Sequence, residues 1–549
     1  MSHSIATVEK DSTDARSRRA PRRWDIVTWV LVGVVLTGTA IRFVGIGWGL
    51  PLLLHPDEWV VVEYAIDLAQ RNSFEPDFFF RPDHLEIQLS YLAYLVWGHV
   101  FNGMPPEELY LTSVAPFYAI SRGITALFGS AMIPLAYLIG RPFGRWAGLL
   151  MALGVALFPP FVEHSRYATP DIPLTFTVML VVLGCVLYIR GQSWWALVLA
   201  CAGVALGITA KYPAVLGTTV IAAAIIIAAT RSHQPWRILS RGAAAIGMVV
   251  GMVFTLSPVL FTNITEAKDA LFAQNLNGHL GASGLNWPEK LAFYTNEMLQ
   301  SGGLLLLLFA FAGIAWLIVR RRWDGVPLAI GFVYWVALSA LNLHWERWGL
   351  PMYLSVVLLS GLGVYALWGW ALAFRGRMRL ARGAVAVLAG VSGLSLLMGS
   401  IAHAAYALAP DTRTAAGPQA ALLGSTRENT VFDGYTSFDP DGTASVVKTL
   451  KVTDGRVESR DGTNYEFVMT SSRLVGRFLA DPSLEEPHEL YTTIIDTLPV
   501  VAQWDAAGSP PDSPWEVVRI VRLVPYLIQL GQGAMVGPQL ILYGVHVPY

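Results

Sequence analysis

The stretch Leu50-Pro-Leu-Leu-Leu-His55-Pro-Asp57-Glu58-Trp59 joins the first long apolar segment to the rest of the chain. That segment, residues 26–48, is long enough to span a membrane, and no small-residue cleavage site follows it. Two adjacent carboxylates at the mouth of such a segment are costly unless the protein uses them. The stretch therefore predicts a membrane protein whose chemistry is centred on Asp57 and Glu58.

The composition is typical of a polytopic membrane protein. Of the 549 residues, 54% are hydrophobic and only 14% are charged, and the mean hydropathy is +0.49. A soluble domain carries about 25% charged residues. The net charge of -1 and the short, separate clusters of Lys and Arg give no support to a nucleic-acid-binding protein. Cys185 and Cys201 lie in apolar segments, so we predict buried thiols rather than a disulfide or a cysteine metal site.

The basic clusters indicate the topology. Residues 1–23 are polar, end in several arginines and predict a disordered cytoplasmic tail. Later basic clusters lie at residues 141–145, 190, 231–241, 320–322 and 375–382. If the chain does not cross the membrane between residues 49 and 114, all of these clusters lie on the same side of the membrane as the tail. We therefore interpret residues 49–114 as one external loop whose helices lie along or dip into the membrane surface.

Ten further spans of about 20 residues follow this loop. We predict them at residues 116–140, 146–162, 171–189, 195–210, 213–230, 242–261, 300–319, 326–342, 350–373 and 383–408. With the first segment the total is about eleven transmembrane helices, an odd number that leaves the C-terminus outside. Residues 24–409 then form the membrane domain.

The composition changes abruptly after Ala409. Turn sequences and short β-prone runs predict that residues 410–549 form a soluble extracytoplasmic domain of mixed α/β structure. The β-prone runs are residues 465–469, 515–521 and 540–545.

Polar residues from distant parts of the chain gather at the outer ends of these helices. Besides Asp57 and Glu58 they include Arg81, His84, His164, Arg166, Asp171, Lys211, Glu346 and Arg347. A cavity with two carboxylates near its entrance and several cations inside suits an anionic substrate whose leaving group carries phosphate. A carboxylate can accept a proton from an attacking hydroxyl, and Arg or Lys can stabilise charge on a departing phosphate.

Each candidate also has a purely structural interpretation. Asp57 and Asp171 both stand where a carboxylate often caps the helix that follows. His164, Arg166 and Lys211 also fit anchors that reach the membrane interface, and Arg347 between two tryptophans fits an aromatic belt. The sequence leaves these alternatives open.

The order of several motifs resembles the integral-membrane glycosyltransferases of the GT-C fold, and among them the family 39, dolichyl-phosphate-mannose protein mannosyltransferase-like enzymes. The motifs are the Asp57-Glu58 pair, Ser121-Arg122, Tyr137-Leu-Ile-Gly-Arg141-Pro-Phe-Gly-Arg145, Ser165-Arg-Tyr-Ala-Thr-Pro-Asp171, Gly207-Ile-Thr-Ala-Lys211-Tyr212 and Glu346-Arg347-Trp-Gly-Leu-Pro351. The resemblance covers nearly the whole chain.

This resemblance implies a glycosyltransferase that moves a sugar, mannose or another hexose, from a polyprenyl-phosphate carrier to an acceptor hydroxyl at the outer membrane face. By matching position, Asp57 would be the general base, with Glu58 in a supporting or metal-contacting role. Arg81, Lys211 and Arg347 would contact the carrier phosphate, and Asp171 matches a second acidic position. No cofactor other than the lipid-linked donor is implied. A divalent metal stays open, since Asp57, Glu58 and Asp171 offer oxygen ligands for a hard cation.

Two other classes of function remain in competition. A secondary transporter would also carry charges within its membrane domain. A non-catalytic cell-envelope assembly protein would keep the fold and use the C-terminal domain for binding. The expected partners are a lipid-linked sugar, the membrane, and a protein, lipid or glycan acceptor, and the resemblance to bacterial relatives favours a bacterial plasma membrane.

Overall fold

The computed structural model describes residues 25–276, 284–373, 379–436, 446–480 and 484–545. The predicted tail, residues 1–23, lies outside these ranges. The described chain consists of a helical membrane domain followed by a C-terminal domain that contains the β-strands.

The membrane domain begins with α1 (Ile26–Phe43), whose first turn is capped by the carboxylate of Asp25 accepting from the backbone N–H of Thr28. Three short helices follow, namely α2 (Glu58–Arg71), α3 (His84–Leu95) and α4 (Pro106–Thr112), with a π-helical segment (Val96–Asn102) after α3. None of these described elements is long and apolar enough for a span. The assignment of residues 49–114 to one external loop stays a prediction.

Fifteen more helices complete this domain. They are α5 (Ala115–Gly140), α6 (Arg145–Leu157), α7 (Pro159–His164), α8 (Asp171–Gly191), α9 (Trp194–Ala210), α10 (Gly217–Thr230), α11 (Pro235–Leu239), α12 (Arg241–Leu256), α13 (Val259–Thr262), α14 (Ile264–Leu276), α15 (Trp287–Gly302), α16 (Leu304–Val319), α17 (Ile330–Ser339), α18 (Leu350–Ala373) and α19 (Arg379–Tyr406). Short 3-10 turns precede α10, α17 and α18 at Tyr212–Leu216, Trp323–Ala329 and Glu346–Gly349.

The predicted polytopic helical membrane fold is confirmed, but the exact number of spans is not. Among the described residues, seven helices are long and apolar enough to cross a membrane, or eight if α15 and α16, which meet at a 108° bend, form one broken span. Three more apolar segments match predicted spans and are shorter, at Arg145–Leu157, Trp194–Ala210 and Trp323–Ser339. These shorter helices would complete the predicted eleven, which therefore stays a prediction.

Helix α8 connects the two ends of the membrane domain. It is buried along most of its length and packs on α5, α9 and α10. Its last turn carries Arg190, whose guanidinium contacts Asp324 and the carbonyl of Pro142 in other basic loops. Its first residue is Asp171, about 30 Å away along the helix axis. The basic loops around Arg190 and the candidate residues around Asp171 thus lie at opposite ends of the domain.

The C-terminal domain is confirmed as mixed α/β. Its helices are α20 (Thr412–Leu422), α21 (Val446–Thr449), α22 (Ser472–Ala480), α23 (Glu485–Thr497) and α24 (Glu516–Gly531), and its strands are β1 (Thr430–Phe432), β2 (Leu450–Thr453), β3 (Arg456–Ser459), β4 (Phe467–Ser471), β5 (Val500–Trp504) and β6 (Leu540–Gly544). The larger sheet has the order β1-β4-β6-β5, with only β1 and β4 parallel, and β2 and β3 form a hairpin.

The prediction of a β-run at residues 515–521 is wrong, because these residues begin α24. Their β-branched side chains favour a strand locally. However, Glu516, Arg519, Leu523 and Tyr526 recur at helical spacing and form the buried face of α24. This face packs on α19, so tertiary packing decides the structure against the local preference.

Candidate active site

A cavity of about 410 Å³ is lined by five of the ten predicted polar residues. Its charged lining consists of Asp57, Arg81, Asp171, Lys211 and Arg347, and the rest of its wall is mainly apolar and aromatic. These five residues come from the loop before α2, the loop before α3, the start of α8, the end of α9 and the turn before α18. The structure thus brings together, in one place, charges that are far apart in the sequence.

Asp57 lies immediately before α2 at the N-cap position, but its side chain makes no capping hydrogen bond. Its carboxylate instead contacts the guanidinium of Arg347 at 2.5 Å and that of Arg81 at 3.8 Å. The side chain keeps 29% of its surface exposed and faces the cavity. The capping interpretation of Asp57 is therefore not realised in this structure.

The acidity of Asp57 follows from these neighbours. Burial alone would raise its pKa, but the positive charges of Arg347 and Arg81 outweigh burial and hold the pKa below its ordinary value. The carboxylate is thus ionised at neutral pH and can accept a proton. Both arginine contacts are made to Oδ2 of this carboxylate.

Asp171 and Lys211 form a buried ion pair at the base of the cavity. Asp171 is the first residue of α8 and follows the N-cap residue Pro170. One of its oxygens contacts Lys211 Nζ at 2.7 Å, and the other lies 3.8 Å from Nε of Arg347. Lys211 also stacks over Trp348, with Nζ 5.3 Å from the ring centroid. Lys211 is therefore held inside the cavity and does not act as an exposed interface anchor.

Arg347 joins the two carboxylates. The 3-10 turn Glu346–Gly349 carries it over Trp345, with 5.8 Å between the guanidinium carbon and the ring centroid. Its guanidinium contacts Asp57 and Asp171 together. The planar guanidinium of Arg347 therefore bridges two carboxylates and can also donate hydrogen bonds to an anionic ligand in the cavity.

Arg81 has a partner that the sequence analysis did not identify. Its Nε donates to Asp83 Oδ2 at 2.9 Å, and its other nitrogens face the side chain and the carbonyl of Asp57. Asp83 is fully buried, and burial raises its pKa to about 7 against the opposing charges of Arg81 and Lys211. The spacing Arg81-Pro-Asp83 was a usable signal for this pair.

Glu58 does not line the cavity, although the sequence analysis predicted it beside Asp57. Its carboxylate is fully buried and receives two hydrogen bonds from Arg122, at 2.6 and 2.7 Å, and one from the N–H of Ala168 at 2.9 Å. Arg122 also donates to the carbonyls of Ile46 and Trp48 after α1. These contacts tie the loop before α2 to α5 and to the end of α1, and the catalytic or metal-contacting role of Glu58 stays a prediction without a contact to the cavity.

Two other predicted residues are also engaged in structural contacts. The ring of His84 lies between the hydroxyl of Ser257, at 2.6 Å, and the carbonyl of Phe78, at 2.8 Å. Arg166 donates to the carbonyls of Ile41 and Val44, at 2.9 and 2.7 Å, and thereby satisfies the end of α1. Neither side chain lines the cavity.

His164 and Glu346 lie near the cavity but not in its lining. His164 ends α7 and packs edge-on against Tyr167, with 6.0 Å between ring centroids. Glu346 begins the turn that carries Arg347. Both therefore stay predictions without a direct contact to support them.

The three acids considered as metal ligands do not converge. Asp57 and Asp171 are held by cations, and Glu58 is bound to Arg122. Within the described ranges, no group of three or more His, Cys, Asp and Glu side chains is arranged to hold a metal ion. These residues do not fit a divalent cation in this arrangement.

Comparison with known proteins agrees with the motifs. A family model described as dolichyl-phosphate-mannose-protein mannosyltransferase matches residues 32–264. The predicted resemblance to this family is confirmed. The matched range includes Asp57, Arg81, Asp171 and Lys211, whereas Arg347 lies beyond it.

Two solved structures of ArnT from Cupriavidus metallidurans are similar to this chain. The apo structure is 15% identical with a TM-score of 0.48, over 69% of this chain and 72% of that one. The structure bound to undecaprenyl phosphate is 14% identical with a TM-score of 0.47, over 96% of this chain and 100% of that one. No protein of curated function matches the sequence.

Proposed function

We propose that this protein is a glycosyltransferase that moves a hexose from a polyprenyl phosphate to an acceptor hydroxyl. The reaction takes place on the side of the membrane where the C-terminal domain lies. One observation carries the proposal: an ionised carboxylate, Asp57, shares a cavity with three cations, Arg81, Lys211 and Arg347. The mannosyltransferase family match supports the same reaction class.

The charges of the cavity suit a phosphodiester. Arg81, Lys211 and Arg347 supply three positive charges against the two negative charges of Asp57 and Asp171, which leaves one positive charge. A sugar linked to a polyprenyl monophosphate carries one negative charge at this position. Asp83 pairs with Arg81 outside the cavity lining, and burial raises the pKa of its carboxyl.

A second cavity of about 860 Å³ suits the hydrocarbon chain of such a donor. It shares Tyr212 and Val215 with the charged cavity and continues along the apolar faces of α10, α12 and α14. A carrier with its phosphate among the cations would therefore extend its isoprenoid chain over apolar side chains, where burial is favourable.

The proposed reaction is a direct displacement at the anomeric carbon. The acceptor oxygen forms a bond to that carbon while its proton passes to Asp57, and the bond from the carbon to the phosphate oxygen breaks. The electron pair leaves with the polyprenyl phosphate, whose added negative charge the three cations stabilise. In the donor complex, the phosphate competes for Arg347 and so weakens the contact of Arg347 with Asp57.

This competition predicts a pH effect. Arg347 and Arg81 hold the pKa of Asp57 low in the free protein, and a bound phosphate reduces their influence, so the pKa rises in the complex. Since kcat/KM reports the free enzyme and kcat the complex, we expect the acid limb of kcat at higher pH than that of kcat/KM. Full pH profiles with one donor measure both limbs. Coincident limbs would show that the phosphate does not contact these cations.

Lys211→Ala is expected to weaken binding of polyprenyl phosphate by about 10-fold or more, because a charged hydrogen bond contributes roughly 1.5–3 kcal/mol. Titration of a radiolabelled polyprenyl phosphate against the protein in nanodiscs measures the affinity. Lys451→Ala, on β2, is the control and should bind normally. Lys211→Arg keeps the charge, so an affinity loss equal to that of Lys211→Ala would contradict electrostatic binding.

The function itself is tested with the full chain in nanodiscs and a polyprenyl phosphate that carries a radiolabelled hexose. A membrane extract of the source organism supplies the acceptors. We expect label to enter the extract and free polyprenyl phosphate to appear in equal amount. Counterflow of a solute without sugar transfer would support the transporter, and donor binding without transfer would support the assembly protein. Either result would overturn the proposal.

A further inference from the structure

Helix α24 has two faces of opposite character. Its buried face comprises Glu516, Arg519, Leu523 and Tyr526, and it contacts the membrane domain. The opposite face is a stripe of aliphatic side chains with large exposed fractions: Val517 61%, Val521 64%, Val524 45% and Ile528 55%. A stripe of this kind on a water-facing helix would be an unfavourable apolar patch.

The level of α24 relative to the membrane follows from its contacts with α19. Arg519 Nε donates to the hydroxyl of Ser395 at 2.7 Å, and Leu523 and Tyr526 pack against Ala402. Later residues of α24 contact later residues of α19, so the two helices run side by side in the same direction. Ser395 precedes the last residue of α19, Tyr406, by about 16 Å of helix. Helix α19 has 28 residues and is about 42 Å long, which exceeds a hydrocarbon core of about 30 Å, and Ser395 lies about 24 Å from its basic start at Arg379, within the core.

The bend between α15 and α16 meets the start of α24. Gly303 breaks this apolar pair at a left-handed φ of 89° and leaves the end of α15 and the start of α16 without helical partners. Helix α24 supplies these partners. Arg519 donates to the carbonyls of Gln300 and Gly302, at 3.1 and 3.2 Å, and also to that of Ser301.

The start of α16 is satisfied in the same way. Glu516 accepts from the N–H of Leu305 at 2.6 Å, and the N–H of Leu304 donates to the carbonyl of Pro514 at 2.8 Å. Broken backbone at membrane depth is tolerated only where protein covers it. An arginine and a glutamate at this level are likewise acceptable only when they are paired. The contacts of α24 meet both conditions.

The exposed stripe continues a surface that already faces lipid. Leu394 and Ile401 of α19 are 48% and 42% exposed, and Leu308 and Phe311 of α16 are 51% and 57% exposed. Both helices belong to apolar segments of membrane-spanning character. Helix α24 packs directly against α19 and against the start of α16, so its aliphatic stripe lies between two lipid-facing surfaces.

We propose that α24 is embedded in the bilayer leaflet on the cavity side, with Val517, Val521, Val524 and Ile528 against lipid chains. The chain leaves the sheet after β5, descends to the level of the α15–α16 bend, and returns along α19 toward β6. At 16 residues α24 is too short to span the membrane. The predicted soluble domain is thus anchored in the bilayer by a re-entrant helix.

The test places a nitroxide spin label at Val521→Cys and, separately, at Ile528→Cys in the full chain in nanodiscs. The control is Leu422→Cys at the end of α20, where the leucine is 88% exposed. The parent protein measures background labelling of Cys185 and Cys201, which are buried. Collision with oxygen and with a water-soluble nickel chelate then reports the depth of each label.

We expect both α24 labels to collide more with oxygen than with nickel, and Val521→Cys to lie deeper than Ile528→Cys. The label at Leu422→Cys should show the reverse preference. Nickel accessibility at Val521→Cys and Ile528→Cys equal to that at Leu422→Cys would overturn the proposal. Size-exclusion chromatography of all three variants checks that each is folded, and the two α24 positions guard against failure of one variant.

Discussion

Replacing Asp57 with asparagine is expected to lower kcat for sugar transfer by about 10²–10⁴-fold, the usual contribution of a general base. Asparagine preserves the size of the side chain but cannot take the proton of the acceptor. It also releases Arg347, which contacts the carboxylate at 2.5 Å in this structure. Donor affinity is therefore expected to stay equal or to increase. Single-turnover transfer and donor titration of the same preparation measure the two effects.

The matched control for this variant is Asp67→Asn. Asp67 belongs to α2 and pairs with Arg71 at the protein surface, away from the cavity lining. It should retain full activity. An Asp57→Asn protein that binds donor normally and keeps more than about one tenth of kcat would remove Asp57 from the role of base.

Replacing Glu58 with glutamine is expected to act on folding rather than on chemistry. The carboxylate is fully buried, and its loss leaves Arg122 as a buried charge without its anionic partner. Breaking one side of a buried pair costs about 3–5 kcal/mol. The midpoint of thermal unfolding in detergent should fall clearly, while the protein that remains folded should keep its donor affinity.

Glu63→Gln, at an exposed position of the same helix, is the control and should unfold like the parent. The double variant Glu58→Met with Arg122→Met should recover part of the lost stability, because no buried charge is left unpaired. Unchanged stability of Glu58→Gln together with a loss of transfer would reverse this interpretation and return Glu58 to catalysis.

The sequence predicted the membrane domain well because hydropathy is a local property. Apolar segments of α5, α8, α9, α18 and α19 end within a few residues of their predicted limits. Positive charge is also a local property. Its distribution predicted that the basic loops lie at one end of the membrane domain and the candidate residues at the other. Arg190 and Asp171, at opposite ends of α8, agree with that arrangement.

Local composition did not reveal which polar residues at that end face the cavity. Asp57 and Glu58 are adjacent, yet one faces the cations and the other is buried against Arg122, 64 residues away. The direction of each side chain depends on how the loop before α2 turns and which helix it meets. Asp83 was missed for the same reason, although its spacing from Arg81 hinted at a pair.

The sequence alone predicted the helical membrane fold and the mixed α/β character of the C-terminal domain. It also predicted that five charged residues lie at one end of the spans, namely Asp57, Arg81, Asp171, Lys211 and Arg347. Only the tertiary structure decided that these five share one cavity, that Glu58 is buried against Arg122, and that α24 is a helix packed on α19 rather than a strand. The physical reason is range. Hydropathy and charge act over one segment, whereas an ion pair such as Arg347 with Asp57 exists only after distant segments have packed.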